Sequence, residues 1–128
     1  MKFITSTHLK QWADTRESQS LLPELIRRLI CASVKQLDRL SFPCGDAVHM
    51  PGWDGIVSCP EPIDLVPEGD SLWECGVNKE IQAKANDDII KRAADPLGHI
   101  KSNSTFVFVT PREWAGADAW VIANQSGW

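Results

Sequence analysis

The sequence predicts an α/β domain in which helices flank a central mixed β-sheet, and three observations carry that prediction. Leu21, Leu22, Leu25, Ile26, Leu29, Ile30, Val34 and Leu37 recur at the spacing of an amphipathic helix. Short apolar runs suited to strands follow at 56–59, 71–77 and 105–110. A second helical pattern separates the last two of these, so it reads as the crossover helix between them.

The elements are expected in the following order. Residues 1–17 form a polar segment in which a helical turn or two around 8–13 packs Trp12 on the body. The α/β domain occupies 18–128. Its first helix starts with Ser18 or Ser20 as N-cap and runs to about Leu37, with Pro23 near its start, where a missing N–H does little harm. Phe42-Pro43-Cys44-Gly45-Asp46 turns the chain, and strands at 47–50 and 56–59 enclose Pro51-Gly52-Trp53-Asp54-Gly55. A Pro-rich link at 60–69 leads to the third strand at 71–77, and a helix covers 83–95 with Ala85, Ile89, Ile90 and Ala93 as its apolar side. The run at 105–110 is expected to be covered on both faces, and a last helix is expected at 112–124. The chain stops where a further strand would be expected, so we read it as a domain cut from a longer protein.

Composition narrows the functional classes. A chain of 128 residues with 43% hydrophobic and 23% charged residues is one ordinary globular domain. No apolar run reaches membrane-spanning length, and the N-terminus has no signal-peptide pattern, so the cytoplasm is the expected location and no membrane partner is expected. Cys31, Cys44, Cys59 and Cys75 contain no Cys-x-x-Cys pair and are expected to be unpaired, mostly buried thiols. A net charge of −4 argues against a protein that coats nucleic acid, and less against an enzyme that touches DNA over a small footprint.

Chemistry concentrates between Pro51 and Arg92. Asp54 and Glu74 each sit in or beside an apolar strand, where a charge is costly unless it is paired or binds a metal. Each also has an ordinary explanation. Asp54-Gly55 suits a hairpin turn, and Glu74 suits the solvent side of an edge strand. Leu72, Glu74 and Gly76 share one strand face, and Gly76 leaves space beside the carboxylate. Lys84, Asp88 and Lys91 fall on one helical face, which ordinarily means a solvated, salt-bridged surface. Two carboxylates on adjacent strands could instead hold a hard divalent cation through oxygen, with a lysine offsetting charge on a phosphate.

This arrangement resembles the PD-(D/E)xK restriction-endonuclease-like superfamily. The carrying residues are Asp54 at the opening of the second strand, Glu74 within the third, and the element order αβββαβ. Gly52-Trp53-Asp54-Gly55-Ile56-Val57 is most similar to its Mrr-like branch. The wider pattern, from Phe42-Pro43 to Thr110-Pro111-Arg112, resembles N-terminal domains of large bacterial proteins, some linked to defence against foreign DNA. The resemblance implies a restriction-endonuclease-like core, a DNA substrate, and Mg²⁺ or Mn²⁺ held by Asp54 and Glu74. The superfamily's acid-x-Lys motif has Gly76 where its lysine belongs, so the catalytic cation is expected from the following helix, as Lys84 with Lys79 in reserve. Trp53, Lys91 and Arg92 are the expected nucleic-acid contacts. The alternatives are a nuclease-like fold that binds without cleaving, which the Gly76 substitution favours, and a carboxylate-pair hydrolase of a small molecule.

Overall fold

The computed structural model describes residues 4–128. Four α-helices and four strands follow one another along it: α1 (Ser6–Ala13), α2 (Ser18–Ser33), β1 (Arg39–Ser41), β2 (Gly55–Cys59), β3 (Gly69–Cys75), α3 (Ile81–Ala94), β4 (Ser104–Val109) and α4 (Ala117–Asn124). The strands form one open mixed sheet in the order β1-β2-β3-β4. The first two pairings are antiparallel and β3-β4 is parallel, with α3 as the crossover. The expected α/β class with a mixed sheet is therefore what the chain adopts.

Strand alternation sorts side chains between the two faces of this sheet. Trp73 and Val57 point to the α2 side, where they pack with Ile30, Val34 and Phe42. Leu72 pairs with Phe106 and Glu74 with Phe108 in parallel register, on the opposite face. There Phe106 and Phe108 meet Ala85 and Ile89 of α3 and Trp120 of α4. Glu74 thus lies under α3, on a face otherwise made of aromatic and aliphatic groups. Its carboxylate needs a specific partner there.

Several boundaries differ from the sequence reading for physical reasons. The helix α2 stops at Ser33 rather than Leu37, because Val34 turns extended and buries its side chain in the α2-side core. Ser18 is not an N-cap: its hydroxyl donates to the carbonyls of Ala13 and Thr15, fastening α1 to α2. Pro23 falls inside the helix rather than in its first turn and has no N–H to give the Gln19 carbonyl. The segment expected as a strand at 47–50 belongs to a 3-10 turn, Gly45–His49, and the partner of β2 is Arg39–Ser41 instead. The strand β4 is the edge strand, yet both of its faces are packed as expected: half-buried Val107 and Val109 lie against the α2-side core, and half-buried Phe106 and Phe108 lie on the α3 side. The last helix begins only at Ala117. Trp12 is half-buried in a groove between α1 and α2. All four cysteines are free, but Cys31 and Cys44 are exposed. Among the described residues no helix is long and apolar enough to cross a membrane.

Gly55 opens β2 because nothing larger fits. A Cβ there would stand 2.2 Å from the Phe42 ring, which lies over the strand and meets Trp73 edge-on. Gly55→Ala is expected to destabilise the fold by ~1–3 kcal/mol through overpacking. Urea denaturation measures the loss, and Phe42→Leu in the same chain should recover part of it. An unchanged midpoint in Gly55→Ala would mean that the ring moves aside freely.

Candidate functional site

The carboxylates of Asp54 and Glu74 meet where β2 and β3 begin to part. Gly55 pairs with Trp73, so the next residues outward, Asp54 and Glu74, face each other across the two strands on the α3 side. Asp54 replaces a rung of the ladder: its Oδ2 accepts the backbone N–H of Cys75 at 2.7 Å. It is therefore not a hairpin-turn residue, since β1 and β2 are joined by a long connection containing a 3-10 turn. Glu74 is not an edge-strand charge either. It lies on a strand paired on both sides and is only 4% exposed.

Burial pushes the Glu74 carboxyl up from 4.5 to about 8, and the Asp54 charge and a hydrogen bond to Asp54 push the same way. The Arg92 guanidinium opposes them. A buried carboxyl held this close to a second carboxylate calls for a positive charge beside it. Burial also raises the neighbouring Cys75 thiol, with the charges of Asp54 and Glu74 adding to it, so Cys75 stays a thiol rather than a ligand-ready thiolate.

Arg92 serves this pair from α3. Its Nε donates to Glu74 Oε1, and a terminal nitrogen donates to the Gly52 carbonyl at 2.5 Å. Its guanidinium also lies 5.0 Å from the Trp53 ring centre. One side chain thus ties the Glu74 strand to the loop that carries Asp54. This corrects two expected nucleic-acid contacts. Arg92 is 6% exposed and engaged on three sides, and Trp53 is 7% exposed with its indole N–H on the Pro96 carbonyl. Neither offers a surface to a nucleic acid. Lys91 keeps its exposed position on the rim of the cleft.

Lys84 arrives where the sequence reading wanted a cation, by a route that corrects the idea of open space at Gly76. A Cβ on Gly76 would lie 2.9 Å from Lys84 Cγ and 3.0 Å from Phe108 Cζ. The glycine is a bed for the lysine stem. The Lys84 ammonium then meets Asp88 Oδ1 at 2.7 Å. Lys79 is placed elsewhere, exposed beside Asp14 and Arg112 near α1, and it does not line the carboxylate cleft. Glu24 of α2 pairs with Arg28 at 2.9 Å.

Asp88 was read as part of a solvated face, yet it is buried, and its Oδ2 has no hydrogen-bond partner. Burial raises its pKa against the pull of Lys84. An unsatisfied buried oxygen costs ~1–3 kcal/mol, whereas an i,i+4 ion pair returns only ~0.3–0.5 kcal/mol. Stability does not account for this carboxylate. The sequence signal that could have found it is the stripe Ala85, Asp88, Ile89 and Arg92, spaced i, i+3, i+4 and i+7, which places two charges among the buried positions of α3.

A cleft of about 570 Å³ opens over these groups, walled by Lys84, Asp88 and Arg92 of α3, by residues 48–52, and by Gln19 and Pro23 of α2. Asp54 and Glu74 offer it oxygen donors of the kind that suit Mg²⁺ or Mn²⁺. Among the described residues no group of three or more His, Cys, Asp or Glu side chains is arranged to hold a metal. An ion here would complete its shell with waters and substrate oxygens, as Mg²⁺ ordinarily does. The chain matches no family model, no curated protein and no solved structure.

Proposed function

We propose that this domain is a divalent-metal-dependent DNA endonuclease on a restriction-endonuclease-like core, related to the Mrr-like branch, and that it acts in bacterial defence as part of a longer cytoplasmic protein. The observation that carries the proposal is the juxtaposition of Asp54 and Glu74 with a lysine laid across the glycine of the third strand. Hydrolysis of a phosphodiester forms one P–O bond to water and breaks the P–O bond to the leaving sugar oxygen, which ends with a proton. Asp54 and Glu74 would hold the metal, and the ion would supply a polarised phosphate and an activated water. Arg92 fixes Glu74 and keeps the Gly52–Asp54 loop against it. Lys84 places its ammonium in the cleft, where it can offset charge growing on phosphate oxygens. Lys91 on the rim offers a contact to the DNA backbone away from the chemistry.

The test is plasmid cleavage in Mg²⁺ and in Mn²⁺. Lys84→Ala should lower kcat by roughly a hundredfold, as for loss of one charge-stabilising group, with a small change in KM. Asp54→Asn should remove metal-dependent cleavage, and Lys79→Ala should leave it near wild type. Equal cleavage by wild type and Lys84→Ala would overturn the role given to that lysine.

One observation favours a second reading, a nuclease-like fold that binds nucleic acid without cutting it. Arg92 already balances the Glu74 carboxylate, as a retained structural pair would. Wild-type protein that binds DNA fragments but cleaves none with any divalent metal would establish that reading.

A further inference from the structure

We infer that Asp88 is a positioning residue for Lys84, setting where the ammonium stands in the cleft; this rests on the nuclease reading above. A lysine has four rotatable carbons and a compact charge, so its ammonium samples a wide volume unless both stem and head are held. Here both are held. The stem lies between Gly76 and the cleft, with Phe108 against the same glycine, and the head is taken by Asp88 Oδ1 at 2.7 Å. That single bond leaves two N–H groups of the ammonium for other acceptors. Lys84, Asp88 and Arg92 follow one another at four-residue steps on α3, so the carboxylate sits between the cation meant for the cleft and the cation spent on Glu74. Asp88 is buried, which restricts its own rotamers and so the place where it holds the Lys84 ammonium. Its second oxygen is left without a donor, which a surface ion pair would not suffer. The arrangement gives up stability and gains a fixed place for one charge.

Positioning matters in proportion to the precision the reaction needs. A misplacement of about 1 Å can cost on the order of a hundredfold in rate. Asp88→Asn keeps the size and an accepting oxygen but removes the charge that holds Lys84, and Asp88→Ala removes both. We expect kcat to fall about tenfold in Asp88→Asn and about a hundredfold in Asp88→Ala, with KM nearly unchanged. In a Lys84→Ala background neither substitution should lower kcat further, because nothing remains to be positioned. A role confined to folding would persist in that background and overturn the inference.

A second measurement does not depend on cleavage. Acylation of lysine amines by an activated ester, followed peptide by peptide by mass spectrometry, reads the freedom of Lys84, with exposed Lys91 as internal reference. Lys84 should react several-fold faster relative to Lys91 in both Asp88 variants than in wild type. If wild type cleaves no DNA, the nuclease reading fails while this measurement still decides whether Asp88 holds the lysine. Unchanged Lys84 reactivity in both variants would overturn the inference whatever the activity. Should Asp88→Ala fail to fold, Asp88→Asn carries the same two readouts.

Discussion

Arg92→Met should cost the domain about 3–5 kcal/mol at pH 9, read by urea denaturation, a large fraction of the ~5–15 kcal/mol that stabilises a typical domain. The side chains of Arg92 and Glu74 are 7% and 6% exposed, so the loss of the guanidinium strands a carboxylate that water barely reaches. The same substitution frees the Gly52 carbonyl and uncovers the Trp53 ring, loosening the loop that presents Asp54. Methionine fills most of the volume and isolates the loss of charge and hydrogen bonds from the loss of packing. Glu74 can limit the damage by binding a proton, so the cost should shrink at pH 6 and grow as pH rises. Adding Glu74→Met should recover most of the stability, since two apolar side chains replace a buried pair without an orphan. If Arg92→Met costs less than 1 kcal/mol at pH 9 and the double variant is no better, the pair is not holding the fold together.

Several parts of this fold were legible because local pattern and tertiary demand agree. The α2 stripe, the apolar run that becomes β4, and the helix between β3 and β4 were each readable from periodicity. The failures have a common origin in the short segments between them. Residues 47–50 carry Val48 and Met50 as a strand might, but Gly45 takes a positive φ of 62° and a 3-10 turn follows. The true first strand spans only Arg39–Ser41, too short for alternation to register.

At the site, the placing of Asp54 and Glu74 beside each other on adjacent strands was legible from the apolar runs that carry them, whereas Lys84 was singled out only through the family resemblance. Arg92 and Asp88 were misjudged because a charged residue on a helix is usually solvated. Their positions relative to Ala85 and Ile89 carried the contrary information. Trp53 was misjudged for a related reason. Expected as a nucleic-acid contact, its ring is instead packed in the fold by Phe106, Trp128 and the Arg92 guanidinium.

Glu74 should give the domain a pH dependence opposite to ordinary acid denaturation. In the unfolded chain its carboxyl titrates near 4.5, and in the fold it holds its proton to about 8. Between those values the folded state binds a proton that the unfolded state has lost, so stability falls as pH rises. The slope for one full proton is ~1.4 kcal/mol per pH unit. The contribution is complete below 4.5 and gone above about 8. Asp88, also raised by burial, adds to it with the same sign. Asp14, lowered by its bond to Arg112, works the other way in acid. Denaturation is therefore best compared between pH 5.5 and 8.5, where Glu74→Gln should flatten the decline. A wild-type profile that rises across this range, or one unchanged by Glu74→Gln, would show that Glu74 is ionised in the fold at neutral pH. Saturating Mn²⁺ links this to the proposed activity. An ion held by Asp54 and Glu74 must displace the proton, so its stabilising effect should be larger at pH 8.5 than at pH 6. In Glu74→Gln that difference should vanish. An equal Mn²⁺ effect at both pH values in wild type would mean that the ion binds somewhere other than this pair.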